Sequence, residues 1–125
     1  MRLLLDTHIY LWIIKNDQKL SKTARAFILE ADEIYISSVS LWEASIKSKL
    51  GKLDVDIHDL TMAITESGFL ELPLNIKHVN KAHQLPTLHK DPFDRILIAQ
   101  AISEPLKFLT ADEKLKEYST LVEIV

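Results

Sequence analysis

The segment Leu3-Leu4-Leu5-Asp6-Thr7-His8 is the strongest indication of how this chain folds. It is a short apolar run without polar alternation, and it ends abruptly in a carboxylate. Such a run predicts a strand that is buried on both faces, as in a parallel sheet covered by helices. Asp6 then lies where the strand ends, and open α/β sheets bind their ligands at that edge. Other carboxylates arriving at the same edge would therefore indicate a functional site.

Outward from this strand, strand-like and helical segments alternate along the chain. The predicted strands cover residues 3–5, 33–37, 69–72, 107–110 and 121–125. The predicted helices cover residues 7–14, 21–31, 38–50, 56–67, 76–85, 91–103 and 110–118. The alternation predicts a single α/β domain over residues 1–125, a three-layer α/β/α sandwich with a mainly parallel sheet of about five strands. The order of the strands is not legible from the sequence.

Composition narrows the classes of function. The net charge of −3 argues against nucleic-acid binding driven by net charge, but not against a nucleic-acid enzyme whose acidic site holds cations. The absence of cysteine excludes disulfides and thiolate metal sites. The sequence contains neither a signal peptide nor an apolar run long enough to span a membrane. We therefore expect a cytoplasmic protein with no membrane partner.

Four carboxylates are predicted to meet at the carboxyl edge of the sheet. Asp6 follows the first strand, Glu43 lies one helical turn beyond the second, and Asp112 follows the fourth. Asp94 is a fourth acid, one turn after Asp91 at the start of the sixth helix. Carboxylates in close proximity repel unless a cation lies among them, and oxygen ligands without cysteine select Mg²⁺ or Mn²⁺. Such a cluster suits phosphodiester hydrolysis, because a bound metal ion activates water and neutralises charge on the phosphate.

Each of these acids also has a purely structural explanation. Ser40 fits the N-cap of the third helix with Glu43 at position N3, which is a capping box. Asp91 fits the N-cap of the sixth helix with Asp94 at N3, and Asp112 gains from the dipole of the helix that follows it. Asp6 could begin the first helix, although a carboxylate against a buried strand is costly unless it is paired or bound to metal.

Two further local interpretations concern aromatic and hydroxyl side chains. Thr110 fits an N-cap with Glu113 at N3, which predicts another capping box. Trp12 and Trp42 lie on largely apolar helices, so we expect them to be core residues rather than base-stacking platforms.

Four separated motifs together resemble the PIN-domain family, and most of all the VapC-type toxins of bacterial toxin–antitoxin pairs. The motifs are Leu4-Leu5-Asp6-Thr7-His8, Ser40-Leu41-Trp42-Glu43-Ala44, His89-Lys90-Asp91-Pro92-Phe93-Asp94-Arg95 with Ile98-Ala99-Gln100-Ala101, and Leu109-Thr110-Ala111-Asp112. Their order and spacing over nearly the whole chain make the resemblance specific, whereas any one motif alone would be weak.

The resemblance implies an α/β/α sandwich with Mg²⁺- or Mn²⁺-dependent ribonuclease activity. The acids implied as catalytic and metal-binding are Asp6, Glu43, Asp94 and Asp112. Asp91 belongs to the same motif as Asp94 and is a further site residue or only the helix cap. Thr7 and Thr110 are implied to orient the acids.

The resemblance also implies partners. The candidates for contacts with RNA phosphates are Arg95, Lys47 and Lys90, with solvated surface charges as the alternative explanation. The family resemblance implies a homodimer and a cognate antitoxin whose tail occupies the acidic groove.

Two other classes of function remain open at this point. The first is a catalytically silent PIN-like module that binds RNA or protein. The second is a phosphatase or phospho-receiver, which also places an aspartate at a strand end. The haloacid dehalogenase pattern needs D-x-D, and this chain has Asp6-Thr7-His8, which disfavours that class.

Overall fold

The leucine run forms the middle strand of a five-stranded sheet, as seen in a computed structural model that describes residues 1–125. Strand β1 (Arg2–Leu5) pairs with β2 (Glu33–Ser37) on one side and with β4 (Lys107–Thr110) on the other. Strand β3 (Leu70–Leu72) extends the sheet beyond β2, and β5 (Val122–Ile124) extends it beyond β4. All pairings are parallel and the strand order is β3-β2-β1-β4-β5.

Helices fill the connections between the strands. They are α1 (Thr7–Lys15), α2 (Lys22–Glu30), α3 (Ser38–Lys49), α4 (Ile57–Glu66), α5 (Ile76–Gln84), α6 (Pro92–Ser103) and a 3₁₀ helix over Glu113–Tyr118. None of them combines the length and the apolar character needed to cross a membrane.

The two faces of β1 belong to two separate hydrophobic cores. Leu3 and Leu5 point to one face and pack in a core supplied mainly by α1, α2 and α4. Leu4 points to the other face and packs in a core supplied mainly by α6, with contributions from α3 and the 3₁₀ helix. All three leucines are 0% exposed. Helices therefore cover both faces of a parallel sheet, and the predicted three-layer α/β architecture is confirmed.

The chain reverses its direction across the sheet next to β1. It proceeds from β1 to β2 and β3, then returns past β1 to form β4 and β5. A crevice therefore opens between the carboxyl ends of β1 and β4, which is where open α/β sheets bind ligands. The backbone N–H of Asp6 donates to the carbonyl of Leu109 at 2.9 Å, which continues the pairing to the crevice itself.

The structure corrects two predicted helix caps. Helix α3 begins after Ser37, whose hydroxyl accepts the Val39 amide at 3.0 Å, so the predicted capping box at Ser40 is wrong. Glu43 lies in the second turn of α3 and caps nothing. The 3₁₀ helix is capped by Asp112 rather than by Thr110.

The buried position of β1 predicts a large effect of shortening Leu4. Leu4→Ala should lower the free energy of unfolding by about 2–5 kcal/mol, because truncating a buried leucine leaves a cavity. Leu29, on α2, is 86% exposed, so Leu29→Ala should change it by less than about 0.5 kcal/mol. Urea denaturation followed by circular dichroism measures both variants, and equal stability of the two would contradict the central position of β1.

Candidate active site

Asp6 is held in one orientation at the end of the central strand. It is buried and serves as the N-cap of α1, with Oδ1 accepting the backbone N–H of Thr7 at 2.7 Å. Its Oδ2 accepts the hydroxyl of Thr110 at 2.6 Å, from the end of β4. The sheet thus supplies both the position of this carboxylate and a hydrogen-bond donor that orients it.

Glu43 is held beside Asp6 by α3. The residue is 3% exposed, and Oε1 accepts the hydroxyl of Thr7 at 2.7 Å. The Thr7 hydroxyl also lies 2.9 Å from Oγ of Ser40, one turn before Glu43. Oε2 of Glu43 accepts Nζ of Lys47 at 2.7 Å. Ser40 therefore belongs to the supports of the site, a role that its i, i+3 spacing from Glu43 could have indicated.

The other acids lie at the starts of helices. Asp91 caps α6 by accepting the Phe93 amide at 2.9 Å, and Asp112 caps the 3₁₀ helix by accepting the Lys114 amide at 3.0 Å. Asp94 follows in the first turn of α6. It is half-buried at position N3, and it forms no capping box with Asp91.

The acids are close enough for their charges to act on one another, so they form one cluster. The pKa of Asp94 is raised to about 7, and burial is the largest cause. The negative charges of four neighbouring acids raise it further; these are Asp6, Asp91, Glu43 and Asp112. Burial also raises the pKa of Asp6, although the Thr110 hydrogen bond, the charge of His8 and the Thr7 amide act in the opposite direction. The structure therefore brings the predicted acids together, and their mutual repulsion is only partly offset.

Lys47 is the basic side chain that enters this cluster. Burial by itself would lower the pKa of Lys47. The hydrogen bond from Lys47 to Glu43 and the negative charges of Glu43, Asp91 and Asp94 have the larger effect, so the pKa of Lys47 is raised. Lys47 is thus paired with a site acid, and its predicted phosphate contact would require it to leave Glu43.

Arg95 does not face the site. Its Nη2 donates to the carbonyls of Ala82 and Leu85, at 3.0 and 3.2 Å, at the carboxyl end of α5. Arg95 therefore links α5 and α6, and its contact with RNA stays a prediction.

A buried polar network that the sequence did not reveal supports the start of α3. Ser37 Oγ donates to Oε1 of Gln100 at 2.6 Å, and Nε2 of Gln100 lies 3.4 Å from Nδ1 of His78. His78 is fully buried, and its Nε2 lies 2.6 Å from Oε2 of Glu104. Because Nδ1 accepts the Asn75 amide at 3.2 Å, Nε2 is the nitrogen that donates to Glu104. The network ties α5 and α6 to the carboxyl end of β2.

The cluster fits a hard divalent cation in donor chemistry and in charge. Its donors are carboxylate oxygens, and burial together with the neighbouring negative charges raises the pKa of Asp94. No three His, Asp or Glu side chains are placed to hold a metal ion together as they stand. Binding would therefore require the less restrained acids at the helix starts to turn inward.

Comparisons with known proteins agree with this architecture. A family model for the PIN domain matches residues 3–121. Ribonuclease VapC22 of Mycobacterium tuberculosis is 27% identical over 123 residues, covering 92% of this chain and 90% of that protein.

Solved structures with a similar fold include toxin–antitoxin complexes. The crystal structure of VapBC2 from Rickettsia felis bound to a promoter DNA fragment contains a chain with a TM-score of 0.70 and 21% identity, covering 98% of this chain and 96% of that one. A toxin–antitoxin complex from Klebsiella pneumoniae contains one with a TM-score of 0.66 and 19% identity, covering 98% and 99%. These likenesses confirm the predicted fold.

The raised pKa of Asp94 predicts that the free energy of unfolding of the metal-free protein decreases as pH rises. A carboxyl group with a folded pKa of about 7 and an ordinary unfolded pKa binds its proton more tightly when folded. The stability that this proton supports is present at low pH and is lost as pH rises through about 7. Asp94→Asn should therefore stabilise the chelator-treated protein at pH 8 by about 1–2 kcal/mol, after allowance for solvent screening.

The pH series and a matched control make this prediction specific. The stabilisation should shrink as pH falls from about 7 towards 4. Glu30→Gln, at an exposed position on α2, should give no such trend. Urea melts of the three proteins in EDTA measure it, and a destabilised Asp94→Asn protein at pH 8 would refute the repulsion.

Proposed function

Because this chain belongs to the PIN-domain family, we propose that it is a metal-dependent endoribonuclease that hydrolyses RNA phosphodiester bonds. The proposed catalytic and metal-holding acids are Asp6, Glu43, Asp94 and Asp112, with Mg²⁺ or Mn²⁺ as the ion. The single observation that carries the proposal is that these acids lie near one another at the carboxyl edge of the sheet, where burial first, and then their negative charges, raise the pKa of Asp94 to about 7. This excess of negative charge destabilises the folded chain, whereas it favours the binding of a cation.

A bound divalent ion would supply an activated water molecule and would neutralise charge on the attacked phosphate and the leaving oxygen. The residues of the chain supply orientation. Thr110 holds Asp6 and Thr7 holds Glu43 through hydroxyl donors, at 2.6 and 2.7 Å, so neither acid is free to turn. Hydrolysis of this type leaves a 5′-phosphate and a 3′-hydroxyl. Asp91 keeps its role as the cap of α6 and adds negative charge to the site.

We further propose that the chain is the toxin of a toxin–antitoxin pair, acting as a homodimer with a cognate antitoxin. The support is its similarity to Ribonuclease VapC22 and to chains of toxin–antitoxin complexes. The acidic groove is the surface that an antitoxin has to cover to block cleavage. A basic or polar segment would suit it, because the groove carries an excess of carboxylates.

Removal of a site acid tests the catalytic assignment. Asp6→Asn and Asp94→Asn should each lower Mn²⁺-dependent cleavage of single-stranded RNA by about 100-fold or more, because the metal and the charge it stabilises are lost. Asp59→Asn, at an exposed position on α4, is the matched control and should cleave as the wild-type protein does. The same two site variants should also fail to arrest growth when overproduced in a bacterial host.

Calorimetry separates an enzyme from a catalytically silent module, which is the second candidate because no three acids are placed to hold an ion. Titration with Mn²⁺ should show binding that disappears in Asp6→Asn. Absence of any binding that depends on Asp6, together with wild-type cleavage by both variants, would reject the assignment.

The hydrogen bond between Thr110 and Asp6 makes a separate prediction. Thr110→Val should weaken Mn²⁺ binding and cleavage by about 10- to 100-fold, because the carboxylate loses the donor that orients it. Thr110→Ser keeps the hydroxyl and should restore both quantities to within a few-fold of the wild-type values. Calorimetry and a cleavage assay measure the pair, and equal effects of the two substitutions would point to lost packing instead.

A further inference from the structure

Trp42 is exposed at a place where the sequence predicted a core residue. It lies on α3, yet it is 62% exposed, so the expectation that it packs in the core is wrong. Exposing an indole forgoes a large part of the free energy that its burial would contribute. Trp12, on α1, is only partly exposed and packs against the core formed with Leu3 and Leu5. The exposure of Trp42 therefore calls for an explanation that Trp12 does not need.

The indole is held by one neighbouring ring. Phe93 meets Trp42 with ring centroids 5.6 Å apart and an interplanar angle of 78°, which is an edge-to-face contact. Such a contact covers one side of the pair and fixes the orientation of both rings. A large part of the indole surface stays open to solvent while its orientation is set.

The aromatic pair lies beside the acidic cluster because the same two helices carry both. Trp42 directly precedes Glu43 on α3, and Phe93 directly precedes Asp94 on α6. Consecutive side chains on a helix diverge by about 100°, so Glu43 enters the cluster while Trp42 lies on its flank. The rim of the proposed catalytic site therefore carries a rigid, open aromatic surface.

We infer that Trp42 is a nucleobase-stacking surface that holds one base of single-stranded RNA next to the phosphodiester to be cleaved. The inference rests on the proposed function and names the form of the substrate. Stacking suits unpaired bases, whose faces are accessible, and it tolerates any base because every base has a π-face.

The charges at the site explain why RNA needs such a surface. The chain has a net charge of −3, and the cluster itself repels phosphate. Lys47 is paired with Glu43 at 2.7 Å, and Arg95 is occupied by the end of α5. The ammonium group of Lys47 is thus paired with a carboxylate, and Nη2 of Arg95 is engaged by backbone carbonyls. An uncharged contact with a base supplies affinity that does not depend on them.

Steady-state cleavage of an unstructured RNA in Mn²⁺ tests the inference. Trp42→Ala should raise KM about 10-fold, the effect of losing one stacked base, while changing kcat much less. Trp42→Phe keeps an aromatic face and should stay within about 3-fold of the wild-type KM. Leu29→Ala removes an even more exposed apolar side chain, on α2, and should match the wild-type protein.

Substrates that lack one base locate the contact. In an abasic scan around the cleavage site, one position should raise KM for the wild-type protein but not for Trp42→Ala, since the same interaction cannot be lost twice. As a binding readout, the Trp12→Phe, Asp94→Asn protein, in which cleavage is suppressed, should show quenching of its Trp42 emission on addition of the intact oligonucleotide without Mn²⁺.

The outcomes separate the inference from the proposed function. An unchanged KM for Trp42→Ala, or bound RNA without quenching, overturns the stacking role. A change from dimer to monomer in sedimentation of Trp42→Ala also overturns it, because a second copy of the chain would then cover the indole. Absence of metal-dependent cleavage in both the wild-type protein and Leu29→Ala rejects the nuclease proposal, and the inference with it.

Discussion

The burial of β1 on both faces fixes the geometry of the sheet and of the acidic edge beside it. Its three leucines point alternately into two cores, so the strand cannot shift by one residue without exchanging the partners of both. The residue after Leu5 is therefore fixed in space to within a side-chain rotation. Because β1 lies between β2 and β4 in a parallel sheet, that residue, Asp6, emerges at the crevice where the direction of the chain reverses. The apolar segment thus stabilises the domain and also positions Asp6.

That position brings a conflict between stability and function. Several carboxylates share a partly buried edge, and the pKa of Asp94 is raised to about 7 as a result. The structure relieves only part of the repulsion, through hydroxyl donors from Thr7 and Thr110 and through the ammonium group of Lys47. These contacts orient Asp6 and Glu43, whereas Asp94 receives no comparable support. A fold selected for stability alone would place uncharged groups there, which is why the cluster points to a function that uses its charge.

Sequence reasoning succeeded where one local signal dominates and failed where tertiary contacts choose between signals. The leucine run and the Asp91-Pro92 start of α6 admit one interpretation each, and both were predicted. Ser37 and Ser40 are both good caps, and the end of β2 decided in favour of Ser37. The polarity of Arg95 does not reveal that its partners are carbonyls at the end of α5. Trp42 has the composition of a core residue, but its exposure depends on how α3 lies against α6, which no local pattern encodes.

Capping a helix and serving a metal site are compatible for most of these acids, although they look like competing explanations in the sequence. A cap uses one carboxylate oxygen to accept an amide, as Oδ1 of Asp91 accepts Phe93 and Oδ1 of Asp112 accepts Lys114. The second oxygen is then free for a cation. In a parallel sheet a strand that feeds a helix delivers that helix's N-terminus to the ligand-binding edge, as at Asp6 and Asp112, so these caps and proposed site acids occupy the same positions. Glu43 is the informative exception, because it is buried in the second turn of α3 and caps nothing. Its burial has no explanation in the helix itself, and its contacts with Thr7 and Lys47 tie it to the site instead.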